Sequence, residues 1–565
     1  TPNKIVSLTD NSGRLGTIAG TFTTVATSGT NKFFRGLAFT PETTDGTSNV
    51  DLSVGGTTNS NSLTTLNATS NLKIGSSSTL RVNANTSVYN LTLEAGSRLN
   101  FNASEILTVN SDLLLKAGLS NSFSTYIGNG TLAVGGDIKY LKTIDGSKWY
   151  FISFPTDVSI SSIKKSDGST LGVLGTNWSL KYYDGALRAV NGGTVSNWKA
   201  ITNADLLTTP TLKLNKYQGY IIALTAGAAA TEISFTLNKA EISSEATARN
   251  VPIAENKGAA ATTNHGWNLI GQPYLSKFTA NNATGGDSYY IYVSDGVSTY
   301  TAYTQALAPE LNPMSAYFIQ ASSLLAESDI TFALTGRRQS IPASVQNNLT
   351  DNVQINFSTN TGTDNTNLIV DNNRTTGYEI GKDLEKWIGT GTDKPQVYTQ
   401  LDGISYAFNA LPLANLSNLS LGYYSKTASR TTISATVPQT TSLSSLFLND
   451  SHTGDVTNLL TNSYSFDTDA GTDNNRFTLS AQRVPTKLVV GSETNAPIIS
   501  TLDGQLSIVN LQLLAKVKVY DAVGRIIYSN KAKASSLQVE LPSAGIYIVQ
   551  ITVGAQSWKR KIVLN

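Results

Sequence analysis

The side chains that could do chemistry in this chain are few. It has two histidines, His265 and His452, and no cysteine in 565 residues. Without Cys there are no disulfides, thiolate metal sites or cysteine nucleophiles. His265 stands beside Gly266 and Trp267 at a strand start, and His452 lies in the turn-like run NDSHTGD. A Ser-His-Asp triad would have to use one of them, and no G-x-S-x-G elbow supplies its nucleophile. A His-based zinc site would need the two to meet across separate domains. Both read as turn residues. Carboxylates can act without histidine, but glycosidase chemistry needs two at a fixed separation. Glu94, Glu105, Asp112 and Asp137 are instead spread along the N-terminal part, with no Asp-Asp pair. The best metal candidate is Asp467, Asp469 and Asp473, alternating acids around Gly471 that could wrap oxygens round Ca²⁺. The closing Glu of an EF-hand is missing there, and an acidic β-turn is the competing reading. Tyr182 with Tyr183, and Tyr289 with Tyr290 and Tyr292, lie near turns and could stack on sugar rings. The expectation is a protein that is not an enzyme, with no cofactor unless calcium occupies the acidic loop.

The elements that must position these residues are strands. Hydrophobic residues make up 40% of the chain and support real cores, whereas charged residues are only 14%. A typical globular chain has about 25% charged residues. Thr, Ser, Asn and Gly fill the gap, as in many extracellular β-proteins. A net charge of +2 gives no electrostatic case for nucleic acid. No apolar run reaches the length of a transmembrane helix. No signal peptide stands at Thr1. The length suits three to five domains.

The expected fold is all-β. Residues 1–145 have the texture of a parallel β-helix-like solenoid. Leu72 and Ile74, Leu80 and Val82, Leu91 and Leu93, Leu99 and Phe101, Leu107 and Val109, and Leu113 and Leu115 are successive L-x-apolar pairs. Each pair sends two side chains to one face of a short strand. Such short strands, returning at near-regular intervals through polar links, mark a repeat that buries its apolar face only by stacking. An ordinary β-sandwich is the alternative. Asn85, Asn90, Asn100, Asn102 and Asn110 are turn formers that could also stack in ladders.

Residues 146–250 and 251–342 read as two related β-sandwich repeats. Trp149-Tyr150-Phe151-Ile152-Ser153-Phe154-Pro155 matches Trp267-Asn268-Leu269-Ile270-Gly271-Gln272-Pro273, both W-x-x-I-[SG]-x-P. Later, Tyr217-Gln218-Gly219-Tyr220-Ile221-Ile222 is echoed by Met314-Ser315-Ala316-Tyr317-Phe318-Ile319. Residues 343–485 form another β-sandwich, with Val353, Ile355 and Phe357 alternating. Residues 381–387 are its one plausible helical turn. Residues 486–500, with Gly491, Ser492, Asn495 and Pro497, make the linker.

The last segment, 501–565, reads as a small Ig-like antiparallel β-sandwich. Val519, Tyr520, Asp521 and Gly524 lie in VYDAVGRIIY, Leu541, Pro542, Gly545 and Tyr547 in LPSAGIYIVQI, and Lys561 in the basic tail KRKIVLN. These three motifs in this order resemble the type A C-terminal sorting domain of type IX secretion cargo. GWNLIGQPY likewise resembles an element of large type IX-secreted surface proteins, and residues 343–485 resemble a β-sandwich that often precedes sorting domains. The resemblance implies export across the outer membrane of a Bacteroidota-type cell to the surface or beyond. It implies recognition by an outer-membrane β-barrel shuttle or translocon, and usually removal of the domain by a sortase. The cut is expected in the linker. It also implies inner-membrane export first, so a signal peptide is expected to have been removed. The cargo is then expected to be a non-catalytic adhesin, surface-layer or scaffold component whose sheet edges and faces suit lateral contacts, self-association included. The alternative is a secreted carbohydrate-binding or carbohydrate-active β-helix protein.

Overall fold

A four-residue strand such as Asn71–Ile74 presents Leu72 and Ile74 on one face and cannot bury them by itself. Stacking does so. In the computed structural model Leu72 pairs in parallel with Leu91, Leu91 with Leu113, and Leu113 with Ile138. Leu80 pairs with Leu99 and Leu99 with Tyr126 in a second parallel ladder. Val88, Val109 and Val134 form a third. The chain visits the three ladders in turn, then returns to the first. The description covers residues 4–7, 23–27 and 51–564, apart from 64–65, 102–103, 120–121, 129, 194–195, 243–246, 281–282, 285–289, 295–299, 305–309, 322–327, 339–351, 390–392, 438–440, 442, 484–496, 503–504 and 555. The described chain is mostly β, 54% strand and 8% helix. It divides into two units, Thr1–Val484 and Pro485–Asn565.

Side-chain ladders run beside the backbone ones. Asn90 donates to Asn71 Oδ1 at 2.9 Å, the Asp112 amide to Asn90 Oδ1 at 3.0 Å, and the Asp137 amide to Asp112 Oδ1 at 2.9 Å. Asn85 accepts from the Ile106 amide, and Asn110 donates to the Ala68 carbonyl. The acids of this region are held by lysines: Glu94 by Lys73 at 3.0 Å, and Asp112 by Lys139 at 2.7 Å.

The last strand of the first ladder, Ile138–Ile144, is also the first strand of the next segment. Its free side takes Thr231–Leu237 in antiparallel register, which satisfies an edge that would otherwise invite another chain. Two units of matching topology follow. Tyr150–Ile152, Tyr220–Leu224, Trp178–Tyr183 and Trp198–Ile201 form one four-stranded sheet, in that order. Trp267–Gly271, Ala316–Gln320, Tyr290–Ser294 and Tyr300–Thr304 form the other, in the same order. Just as Thr231–Leu237 pairs Ile138–Ile144 and Lys164–Lys165, Ser328–Phe332 pairs Arg249–Ile253 and Ala283–Thr284.

The repeats meet through their matching residues. The Ser153 amide donates to the Met314 carbonyl at 3.3 Å, and the Gly271 amide to the Tyr217 carbonyl at 2.8 Å. Ser153 corresponds to Gly271, and Tyr217 to Met314. Both of the latter have left-handed backbone, φ 65° and 56°, and each enters the other repeat's core. In each repeat a tyrosine hydroxyl accepts from a backbone amide five residues earlier, Tyr220 from Asn215 and Tyr317 from Asn312. Gly271 is forced by the contact, because a Cβ there would stand 2.2 Å from Ser153 Oγ.

Among the described residues of 352–483, ten strands form one continuous ladder and an eleventh, Leu384–Glu385, branches from it. Phe466 on its terminal strand lies 4.7 Å from Phe477, near the opposite end, so the sheet curls around one core. The helical turn expected at 381–387 is not there. A tight turn leads into the short strand Leu384–Glu385, which pairs with Ile404–Leu411. Asp383 fixes it by accepting from the Glu379 and Ala410 amides, both at 2.8 Å. The α-helices lie elsewhere, at Gly185–Asn191, Asn203–Thr208 and Lys239–Ile242. The second unit has two sheets: Ile498–Leu502, Gln505–Val509 and Ser536–Glu540 in one, and Ile526–Lys531, Lys516–Asp521, Gly545–Val553 and Gln556–Leu564 in the other. Most of the expected linker lies outside the described residues, and Ile498–Leu502 claims the rest of it for the sheet.

Candidate functional site

The first unit's chemistry-bearing groups mostly end in structural contacts. His265 bonds the Ala260 carbonyl through Nε2 at 3.0 Å, and the His452 amide donates to Asp450 Oδ1 at 2.9 Å in a turn. The three acids proposed for calcium do not converge. Asp467 reaches Arg430 at 3.3 Å, Asp473 accepts from the Asn475 and Arg476 amides, and Asp469 is exposed. Among the described residues no three metal-ligating side chains come together. The local centre is Asp450, missed by the sequence reading, which takes Arg476 Nε and Nη2 and the Tyr464 hydroxyl. Burial pushes its carboxyl up, but these bonds outweigh it and hold it below the ordinary carboxylate range.

A second missed residue, Arg188, joins three segments. Asp184 caps the helix Gly185–Asn191 by accepting from the Leu187 amide, which aims Arg188 inward. Its guanidinium lies 4.9 Å from the Trp267 ring and 4.6 Å from the Trp387 ring. It donates to Asn264 Oδ1 at 3.1 Å, Tyr183 Oη at 3.3 Å and Glu385 Oε2 at 3.1 Å. Above it opens a cleft of about 660 Å³, with Tyr183, Trp198, Tyr300 and Trp387 on its walls and Asn197 and Glu385 among its polar groups. Tyr182 faces another hollow, of about 510 Å³, with Asp205 and Tyr220. Thus Tyr182 and Tyr183 do not share a site. Tyr289 and the side chains of Tyr290 and Tyr292 lie outside the described residues.

In the second unit the motif residues have distinct tasks. Val519 is fully buried, and Leu541 and Tyr547 nearly so. Asp521 closes the hairpin turn by accepting from the Val523 and Arg525 amides and from Arg525 Nε at 2.7 Å. Gly524 takes φ 86° there, a conformation costly for other residues. Pro542 starts the exposed link to Gly545–Val553, and Tyr547 pins that link by donating to the Ser543 carbonyl at 2.7 Å. Tyr520 donates to Gln550 at 3.2 Å, and Lys561 is exposed opposite Ile548.

Residues 501–565 match the family model described as the secretion system C-terminal sorting domain. The protein is type IX secretion cargo. It is exported across the outer membrane to the cell surface or the extracellular space. No curated protein matches the chain. One similar solved structure is PorZ, described as an essential bacterial surface component of the type-IX secretion system of human oral-microbiomic Porphyromonas gingivalis. It is 15% identical over 29% of this chain and 24% of its own, with a TM-score of 0.12. The match thus spans about a quarter of that protein's length. Among the described residues no helix is long and apolar enough to cross a membrane. The sorting domain's four-stranded sheet leaves Ile526, Ile546, Ile548 and Val563 exposed on its outer side.

Proposed function

We propose that the cargo is a non-catalytic surface protein, an adhesin or a surface-layer or scaffold component, that works by contact. Its N-terminal part is read as a parallel β-helix followed by tandem β-sandwiches. The observation that carries this reading is the stacking of three parallel ladders onto two interlocked repeats, with the region's Glu94, Asp112 and Asp137 engaged by lysines or by the next coil's backbone. Stacked sheets give broad, regular surfaces suited to binding other surfaces. Calcium is not part of this reading, since Asp467 and Asp473 are engaged by separate groups and Asp469 is exposed.

For delivery, the outer-membrane shuttle or translocon reads the sorting domain. The exposed Ile526, Ile546, Ile548 and Val563, with Tyr520 and Lys561 in the same rows, offer an apolar face with a cationic border. A sortase cut falls in the expected linker, 486–500, ahead of the strand Ile498–Leu502 that takes its last residues. The test is deletion of residues 1–340 from the exported protein. Loss of cell adhesion or array formation, with export intact, supports the reading. Unchanged adhesion and assembly would end it.

A further inference from the structure

The cleft above Arg188 has the makings of a ligand site. Its volume of about 660 Å³ lies within the few hundred to about 1,000 Å³ typical of small-molecule pockets. Tyr183, Trp198, Tyr300 and Trp387 stand around the buried Phe318, each edge-to-face with it at 4.7 to 5.9 Å. Trp198 meets Phe151, Tyr183 and Phe318 at interplanar angles of 72° to 78°, so none of these rings lies parallel to its own, and it remains partly exposed. The polar side of the cleft is built as well. Asn197 is 4% exposed and spends its amide N–H on the Gly192 carbonyl at 3.2 Å. Its Oδ1 is buried and has no hydrogen-bond partner. A buried acceptor left unpaired is costly, and here it borders an open cleft. The charges of Arg188 and Glu385 compensate each other at 3.1 Å, so the site does not select an anion.

A flat apolar ring beside an unsatisfied acceptor and a neutralised ion pair suits a molecule with one apolar face and a rim of hydroxyls. We propose that this cleft binds a neutral hexopyranose residue of a glycan, its C–H face on Trp198 and a hydroxyl donating to Asn197 Oδ1. This goes beyond the export and contact reading and does not depend on it, since residues 501–565 contribute nothing to the lining. Ser196, exposed on the rim, gives a test that leaves the core alone.

The full 565-residue chain is applied to an array of neutral and sialylated glycans, and the strongest neutral binder is titrated by calorimetry. Retention of a neutral glycan is expected, with affinity falling by about tenfold or more in both Ser196→Trp and Trp198→Ala. Should Trp198→Ala fail to fold, Ser196→Trp decides alone, because it fills the opening without removing packing. No retained glycan, retention of sialylated glycans only, or binding unchanged in Ser196→Trp would overturn the proposal. Export to the cell surface is scored separately, so failure here leaves the sorting assignment untouched.

Discussion

Arg188 is 6% exposed and stands between two tryptophan rings, a placement that a lysine cannot reproduce. Guanidinium is planar and forks to several acceptors, while ammonium is a point charge. Arg188→Lys should therefore lose the Tyr183 and Asn264 bonds and the stacking, and cost about 3 kcal/mol, measured by urea unfolding of the first unit. Glu385→Gln, which keeps an acceptor for Arg188, should cost less. Asp450 gives a pH prediction. A carboxylate held low in the folded chain adds stability that is fully present above about pH 4, and it is lost as pH falls through the lowered folded value. The stability gap between parent and Asp450→Asn should be widest from pH 5 to 7 and close below about pH 4, as followed by denaturant melts across pH. Neither residue was legible in the sequence. Two of the three hydrogen-bond partners of Arg188, Asn264 and Glu385, lie 76 and 197 residues away, and nothing in GALRAVN marks its arginine. The acids of 467–473 were visible because they are close in sequence, but Asp467 lies near the end of one strand and Asp473 on the next, and those strands pair with different neighbours, which works against a shared ion.

At the level of elements, the duplicated W-x-x-I-[SG]-x-P and its later aromatic echo were readable because the same small and bulky residues recur in order. Their purpose was not, since the swapped contacts of Tyr217 and Met314 join residues far apart in sequence. Gly271→Val should separate the repeats. Its Cβ would fall on Ser153, whose amide bond to Met314 lies in the same contact, and a loss of about 3 kcal/mol or misfolding is expected. Limited proteolysis at the repeat boundary would report it. The three α-helices among the described residues escaped notice because they are four to seven residues long, too short for a 3.6-residue period to emerge. Conversely, 381–387 read as helical from composition. It became turn and strand because the Asp383 carboxylate binds backbone amides on two segments, a tertiary bond that local preference does not register. In the sorting domain, Tyr547→Phe removes the bond to the Ser543 carbonyl and should cost about 1 kcal/mol, checked by thermal melting of the second unit's transition in the full chain.

For the whole molecule, the sorting domain was the most legible part, because three motifs in a fixed order resemble a known domain and two of them span chain reversals, a tight turn at 521–524 and a bend at 542–544. Deleting residues 501–565 should leave the cargo in the periplasm, scored by surface labelling of cells. Gly524→Val, which strains the hairpin at φ 86°, should lower surface display without altering the first unit. The strand Ile138–Ile144, with one side in the parallel stack and the other in the first repeat, has a further consequence for how such a protein can grow. Returns to the first ladder take 20, 19, 22 and then 25 residues, so the links vary in length while the rungs stay in register. New coils can be added at the end away from this strand without disturbing anything downstream. Beside the shared strand, an added coil would have to reproduce the register on both of its sides, so that end of the gene is closed to insertion, and variation in length belongs upstream.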